Sequence, residues 1–134
     1  MDFFDKYVDI TKALMTEGFN TKTFHTTFIL KKNKIQKIGI NTNKTHPKNL
    51  KYAYFSSKGD DLRGMVGIHS ELSAIIKYGK EDCSDCVFVN IRIDKKGNIT
   101  MSKPCRGCQD LLRQVGFKRL FYTNLVGKFE EWIQ

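Results

Sequence analysis

At 134 residues the chain has room for one domain with a buried core and not for two independent ones. A hydrophobic fraction of 40% beside a charged fraction of 28%, with no window near the roughly 18 consecutive apolar residues of a membrane span, excludes a disordered chain and an integral membrane protein. The net charge of +9 is local: nine lysines and no acidic residue lie between Gly18 and Gly59, a field that suits a phosphate-bearing partner, nucleotide or nucleic acid, as well as a plain solvated surface.

From Asp2 to Glu17 the spacing of Phe3, Tyr7, Ile10 and Leu14 predicts a helix that stops at Gly18. Thr23 to Leu30 and Lys34 to Ile40 are β-prone runs parted by Lys-Lys-Asn and read as a hairpin. Residues 41–67 show little periodicity and are expected to form a long loop bordering an active site. A short helix is predicted to begin at His69, with Ile68, Leu72, Ile75 and Ile76 on one face, and to end near Gly79. Cys86 to Ile93 reads as a strand, 94–98 as a turn and Ile99-Thr-Met as a short return. Pro104 is expected to open a third helix that stops at Gly116, and Lys118 to Thr123 a further strand. Lys128 to Ile133 suits a short helix or a last strand; too few residues remain for another crossover, so such a strand should run antiparallel to its predecessor.

The residues Met1-Asp-Phe-Phe-Asp-Lys lack the basic and apolar regions of a secretory signal, so the expected location is the cytoplasm. In that setting four cysteines in two Cys-x-x-Cys pairs read as thiols or metal ligands, not disulfides. His69-Ser70-Glu71, followed by Pro104-Cys105-Arg106-Gly107-Cys108, matches the motif pair H-x-E and P-C-x-x-C of zinc deaminases. Two thiolates and one imidazole, from His69, Cys105 and Cys108, leave one tetrahedral position on Zn2+ for a water, which the metal makes acidic near neutral pH. Cysteines three apart on a helix share a face, and a helix N-terminus favours their thiolates. Glu71 is the expected proton shuttle and not a metal ligand. Residues two apart on a regular helix diverge, so placing both His69 and Glu71 at the metal requires the first turn.

Together these motifs resemble the cytidine deaminase-like superfamily over roughly residues 24–123. The resemblance implies an α/β fold of three α-β-α layers. A mixed sheet of about five strands would have an antiparallel first hairpin, with the zinc between the N-termini of the second and third helices. It also implies that Gly39-Ile-Asn41 is the Gly-x-Asn whose Asn contacts the substrate sugar. The run from Asn41 to Pro47 resembles phage-encoded cytidine and deoxycytidylate deaminase-like proteins, which makes Lys44 and His46 candidate substrate contacts, with Ser70 a further one through its backbone amide. The longer insertion between the two zinc motifs departs from the family pattern.

The expected reaction is hydrolytic deamination of cytosine to uracil in a free pyrimidine nucleoside or nucleotide. Two alternatives stay open: the same chemistry on single-stranded DNA or RNA, and a non-catalytic module that binds nucleic acid. That module would take Cys83, Cys86, Cys105 and Cys108, eighteen residues apart between the pairs, as a structural four-cysteine zinc site. Homo-oligomers are common among small deaminases of this superfamily. His25 and the aromatics Phe24 and Tyr122 read first as core or surface residues.

Overall fold

The computed structural model of the chain describes residues 4–16, 23–41 and 69–133. Lys44, His46, most of the expected 41–67 loop and the outer ends of the first helix lie outside these residues. Among the described residues three helices and six strands follow in chain order: α1 (Asp5–Met15), β1 (Thr23–Lys31), β2 (Lys34–Ile40), α2 (Ser70–Tyr78), β3 (Val87–Asp94), β4 (Ile99–Thr100), α3 (Arg106–Val115), β5 (Arg119–Thr123) and β6 (Phe129–Glu131). The sheet order is β2-β1-β3-β5-β6, with β4 paired to β3. Among the described strands only β3 and β5 are parallel, and α3 supplies the crossover between them.

Local chemistry accounts for the joints. The β1–β2 turn places Lys32 and Asn33 at φ 52° and 62°, the two positive angles of a type I′ hairpin turn, which matches the right-handed twist of the strands. Gly79 closes α2 in the left-handed region at φ 76°. The C-terminal segment is a strand, antiparallel to β5 as expected.

Strand alternation separates two cores. On one face Phe28 and Leu30 of β1 and Val89, Ile91 and Ile93 of β3 are buried with Tyr7 of α1. The Tyr7 ring lies 5.1 Å from that of Phe28, and Phe4, just before α1, stacks at 4.2 Å on Phe129. On the other face Ile29, Phe88 and Leu120 pack with Leu72 and Ile75 of α2 and Leu111, Leu112 and Val115 of α3. The expected three layers are therefore present, with one helix on one side and two on the other among the described residues.

Beside α2 the sheet comes unusually close. A side chain at Gly39 would overlap the Ser70 carbonyl and the Ala74 backbone nitrogen, so glycine is needed there for packing. This contact, with a hydrogen bond between the hydroxyls of Thr27 and Ser70 at 2.8 Å, seats the first turn of α2 on the row Gly39, Thr27 and Asn90. These three are consecutive partners across β2, β1 and β3.

Candidate active site

His69 and Cys105 are the N-cap residues of α2 and α3, with extended backbones at ψ 155° and 169°. Their carbonyls accept the first helical hydrogen bonds, from the amides of Ser73 and Gln109. Both helices thus begin one or two residues later than expected, at Ser70 and Arg106 and not at His69 and Pro104. The shift resolves the directional difficulty within His-Ser-Glu. His69 precedes the helix and turns away from it, while Glu71 sits in the first turn and faces the sheet. It likewise corrects the account of the cysteines: only Cys108 is helical, and Cys105 reaches the same point from the cap.

His69 Nδ1 lies 3.4 Å from Cys108 Sγ and 3.6 Å from Cys105 Sγ, and the three ligand atoms fall within 4.8 Å of one another. A tetrahedral ion with Zn–S of about 2.3 Å and Zn–N of about 2.05 Å would separate nitrogen and sulfur by about 3.6 Å. The donor set and its spacing therefore fit zinc, with a fourth position left over. The Cys105 thiol is pulled down to about 4, first by its hydrogen bond with Cys108 and then, against burial, by His69. At neutral pH it is a thiolate, the form a metal takes.

Glu71 is 2% exposed, and burial raises its proton affinity; its own backbone amide and the His69 charge oppose that rise, and the nearby Cys105 adds to it. Its Oε1 accepts from the Ser70 hydroxyl at 3.2 Å and its Oε2 from Asn90 Nδ2 at 3.1 Å. Asn90 in turn accepts from Thr27 Oγ1 at 2.7 Å and donates to the Ser102 carbonyl at 3.3 Å. Ser102 ties the approach to Cys105 into the sheet: its hydroxyl donates to the Asn90 carbonyl and accepts from the Thr123 amide, at 2.8 and 2.7 Å. A buried carboxyl held at both oxygens keeps one orientation whichever way it is protonated.

Thr27, Asn90 and Ser102 were not singled out by sequence reasoning. The available signal was Asn90 itself, a lone amide within the apolar run Val87-Phe-Val-Asn-Ile, since a buried polar side chain in a strand needs partners. Among the other expected contacts, Ser70 spends its hydroxyl on Thr27 and Glu71. Asn41, at the end of β2, accepts from the His25 amide through Oδ1 at 2.9 Å and donates its own amide to the His25 carbonyl at 3.3 Å. His25 is pulled down to about 4 by burial, with the charges of Arg92 and His69 adding. Phe24 and Tyr122 belong to the core.

Cys83 and Cys86 take no part. Both are buried in the α2–α3 core, and the cluster that joins Cys105 and Cys108 is completed by His69. The four-cysteine arrangement is therefore not formed among the described residues.

No protein-family model matches the sequence, and no curated protein matches it. In three dimensions the chain is similar to a cytidine deaminase from Burkholderia pseudomallei, known from a crystal structure. The TM-score is 0.57 over 96% of this chain and 90% of that one, at 13% sequence identity. The likeness shows a shared fold. No helix among the described residues is long and apolar enough to cross a membrane.

Proposed function

We propose that this chain is a zinc-dependent hydrolytic deaminase that converts a cytosine base to uracil in a free nucleoside or nucleotide. The observation that carries the reading is the convergence of His69 Nδ1 and two cysteine sulfurs beside a buried carboxyl on which His69 and Cys105 act electrostatically. The fold shared with a cytidine deaminase supports it.

His69, Cys105 and Cys108 would hold the metal, and zinc, when bound, supplies the Lewis acidity that makes water a nucleophile near neutral pH. Glu71 then does the proton work. It accepts the proton the attacking water gives up as the carbon–oxygen bond forms at C4, and passes it to the ring nitrogen. It then takes the remaining proton from the new C4 hydroxyl, as the uracil carbonyl forms, and delivers it to the amino group as the carbon–nitrogen bond breaks and ammonia leaves. Asn90 and Ser70 keep the two carboxylate oxygens aimed through these transfers. Asn41 is the proposed sugar contact, fixed at the end of β2 by its bonds to His25, and the Ser70 backbone amide a further contact.

A panel of cytidine, deoxycytidine, their monophosphates, adenosine, guanine and a single-stranded oligonucleotide, assayed for ammonia release and base change, tests this reading. Glu71→Gln should retain one zinc per chain and lose roughly 100- to 10,000-fold in turnover, the usual contribution of a general acid–base. Retained turnover in that variant would refute the assignment. The exposed lysines Lys32, Lys34 and Lys37 on and beside the edge strand β2 favour a polynucleotide as the second reading, and turnover of the oligonucleotide alone would select it.

A further inference from the structure

Beyond the row that seats α2, one more row of side chains crosses the same face of the sheet. Asn41 lies opposite His25, and His25 is paired directly with Arg92 of β3. This row stands two residues along each strand from Gly39, Thr27 and Asn90, so its side chains point to the same side as the Glu71 cradle. Because α2 begins over the first row, the second lies beyond the helix start, and the His69 charge reaches His25. Arg92 sits on the inserted hairpin that separates the two zinc motifs.

Two atoms in this row lack partners among the described residues: His25 Nε2 and Arg92 Nε are each shut off from solvent with no hydrogen-bond partner there. No ion pair among the described residues gives the Arg92 guanidinium a carboxylate. A guanidinium partly withdrawn from water without a counter-charge is unfavourable, and an anion brought by a ligand would relieve that cost. His25 offers a hydrogen bond at its side through Nε2.

Resting on the deaminase reading, we infer that Arg92, flanked by His25, is the contact for a phosphate on the substrate, so that the site takes a phosphorylated nucleotide in preference to the bare nucleoside. A planar guanidinium can grip two phosphate oxygens at once, which a hydroxyl of the nucleoside cannot match.

The test compares cytidine with cytidine 5′-monophosphate in two assays. With active protein, Arg92→Gln should lower the nucleotide-to-nucleoside ratio of kcat/KM by roughly 10- to 100-fold, the scale of a charge-assisted hydrogen bond. Arg92→Lys should recover part of that ratio. With zinc-loaded Glu71→Gln protein, calorimetry should show tighter binding of the monophosphate than of cytidine, a gap that His25→Gln narrows and Arg92→Gln removes. Arg92-dependent binding without turnover of any substrate would sink the deaminase reading and leave this contact standing. Arg92-dependent affinity for a single-stranded oligonucleotide alone would support the contact and assign its phosphate to a strand. A ratio unchanged in folded Arg92→Gln and Arg92→Lys, or an equal loss on both substrates, overturns the inference.

Discussion

The chain carries Cys-x-x-Cys twice, and the two copies have opposite fates. Cys83 and Cys86 precede β3, buried on the core face of the sheet. Burial and the neighbouring Cys86, Asp82 and Asp85 push the Cys83 thiol up to about 12. Cys86 donates weakly to the Tyr78 hydroxyl at 3.5 Å. Cys105 and Cys108 straddle a helix N-terminus and meet an imidazole, and Cys105 is pulled down to about 4. Identical spacing is compatible with an inert pair of small apolar side chains and with a thiolate clamp. What separates them is the third donor and the solvent-facing cap position.

The sharpest way to break that contrast is to remove one sulfur from each pair. Cys108→Ala should abolish stoichiometric zinc, measured by elemental analysis, together with turnover. Cys83→Ala should keep both. Zinc retained by Cys108→Ala and lost by Cys83→Ala would invert the comparison.

Asn90→Leu comes next in size. It removes the donor to Glu71 Oε2 and the acceptor for Thr27 without touching a metal ligand. Turnover should fall roughly 10- to 100-fold at unchanged zinc content, the scale of a lost hydrogen bond to a charged group. An unchanged kcat would show that Glu71 needs no such support.

Alkylation sharpens the contrast between the pairs directly. In chelator-treated protein Cys105 should react at a rate nearly flat between about pH 6 and 8, because a thiol with its pKa near 4 is fully ionised throughout. An ordinary cysteine would speed up almost tenfold per unit, and Cys83 and Cys86 should react only after unfolding. Mass spectrometry of the labelled peptides reads all of this. The smallest effect is on stability: Cys86→Ala should cost about 1–2 kcal/mol in a denaturant titration, the scale of a modest core truncation.

How much was legible in advance depended on how far apart the cooperating residues lie. The helices and the hairpin followed from periodicity and turn chemistry, which are local, whereas the last segment was left open between helix and strand and only the antiparallel direction of a strand followed, from the few residues remaining. His69, Cys105, Cys108 and Glu71 followed from two short motifs whose spacing is itself a statement about helix starts. The cap positions were misjudged by a residue or two. Sequence periodicity does not report ψ, and ψ decides whether a residue at a helix start points with the helix or away from it.

By itself, then, the sequence determined the α/β class and pointed to the proposed metal donors His69, Cys105 and Cys108 and to Glu71 as the proposed proton carrier, because each of these residues lies in a short motif. Only the tertiary structure decided how Glu71 is held and that His25 and Arg92 stand side by side. Asn90 lies 19 residues from Glu71 and 63 from Thr27. The partners of a buried polar group are chosen by which strands become neighbours, and that choice belongs to the packing of the whole sheet.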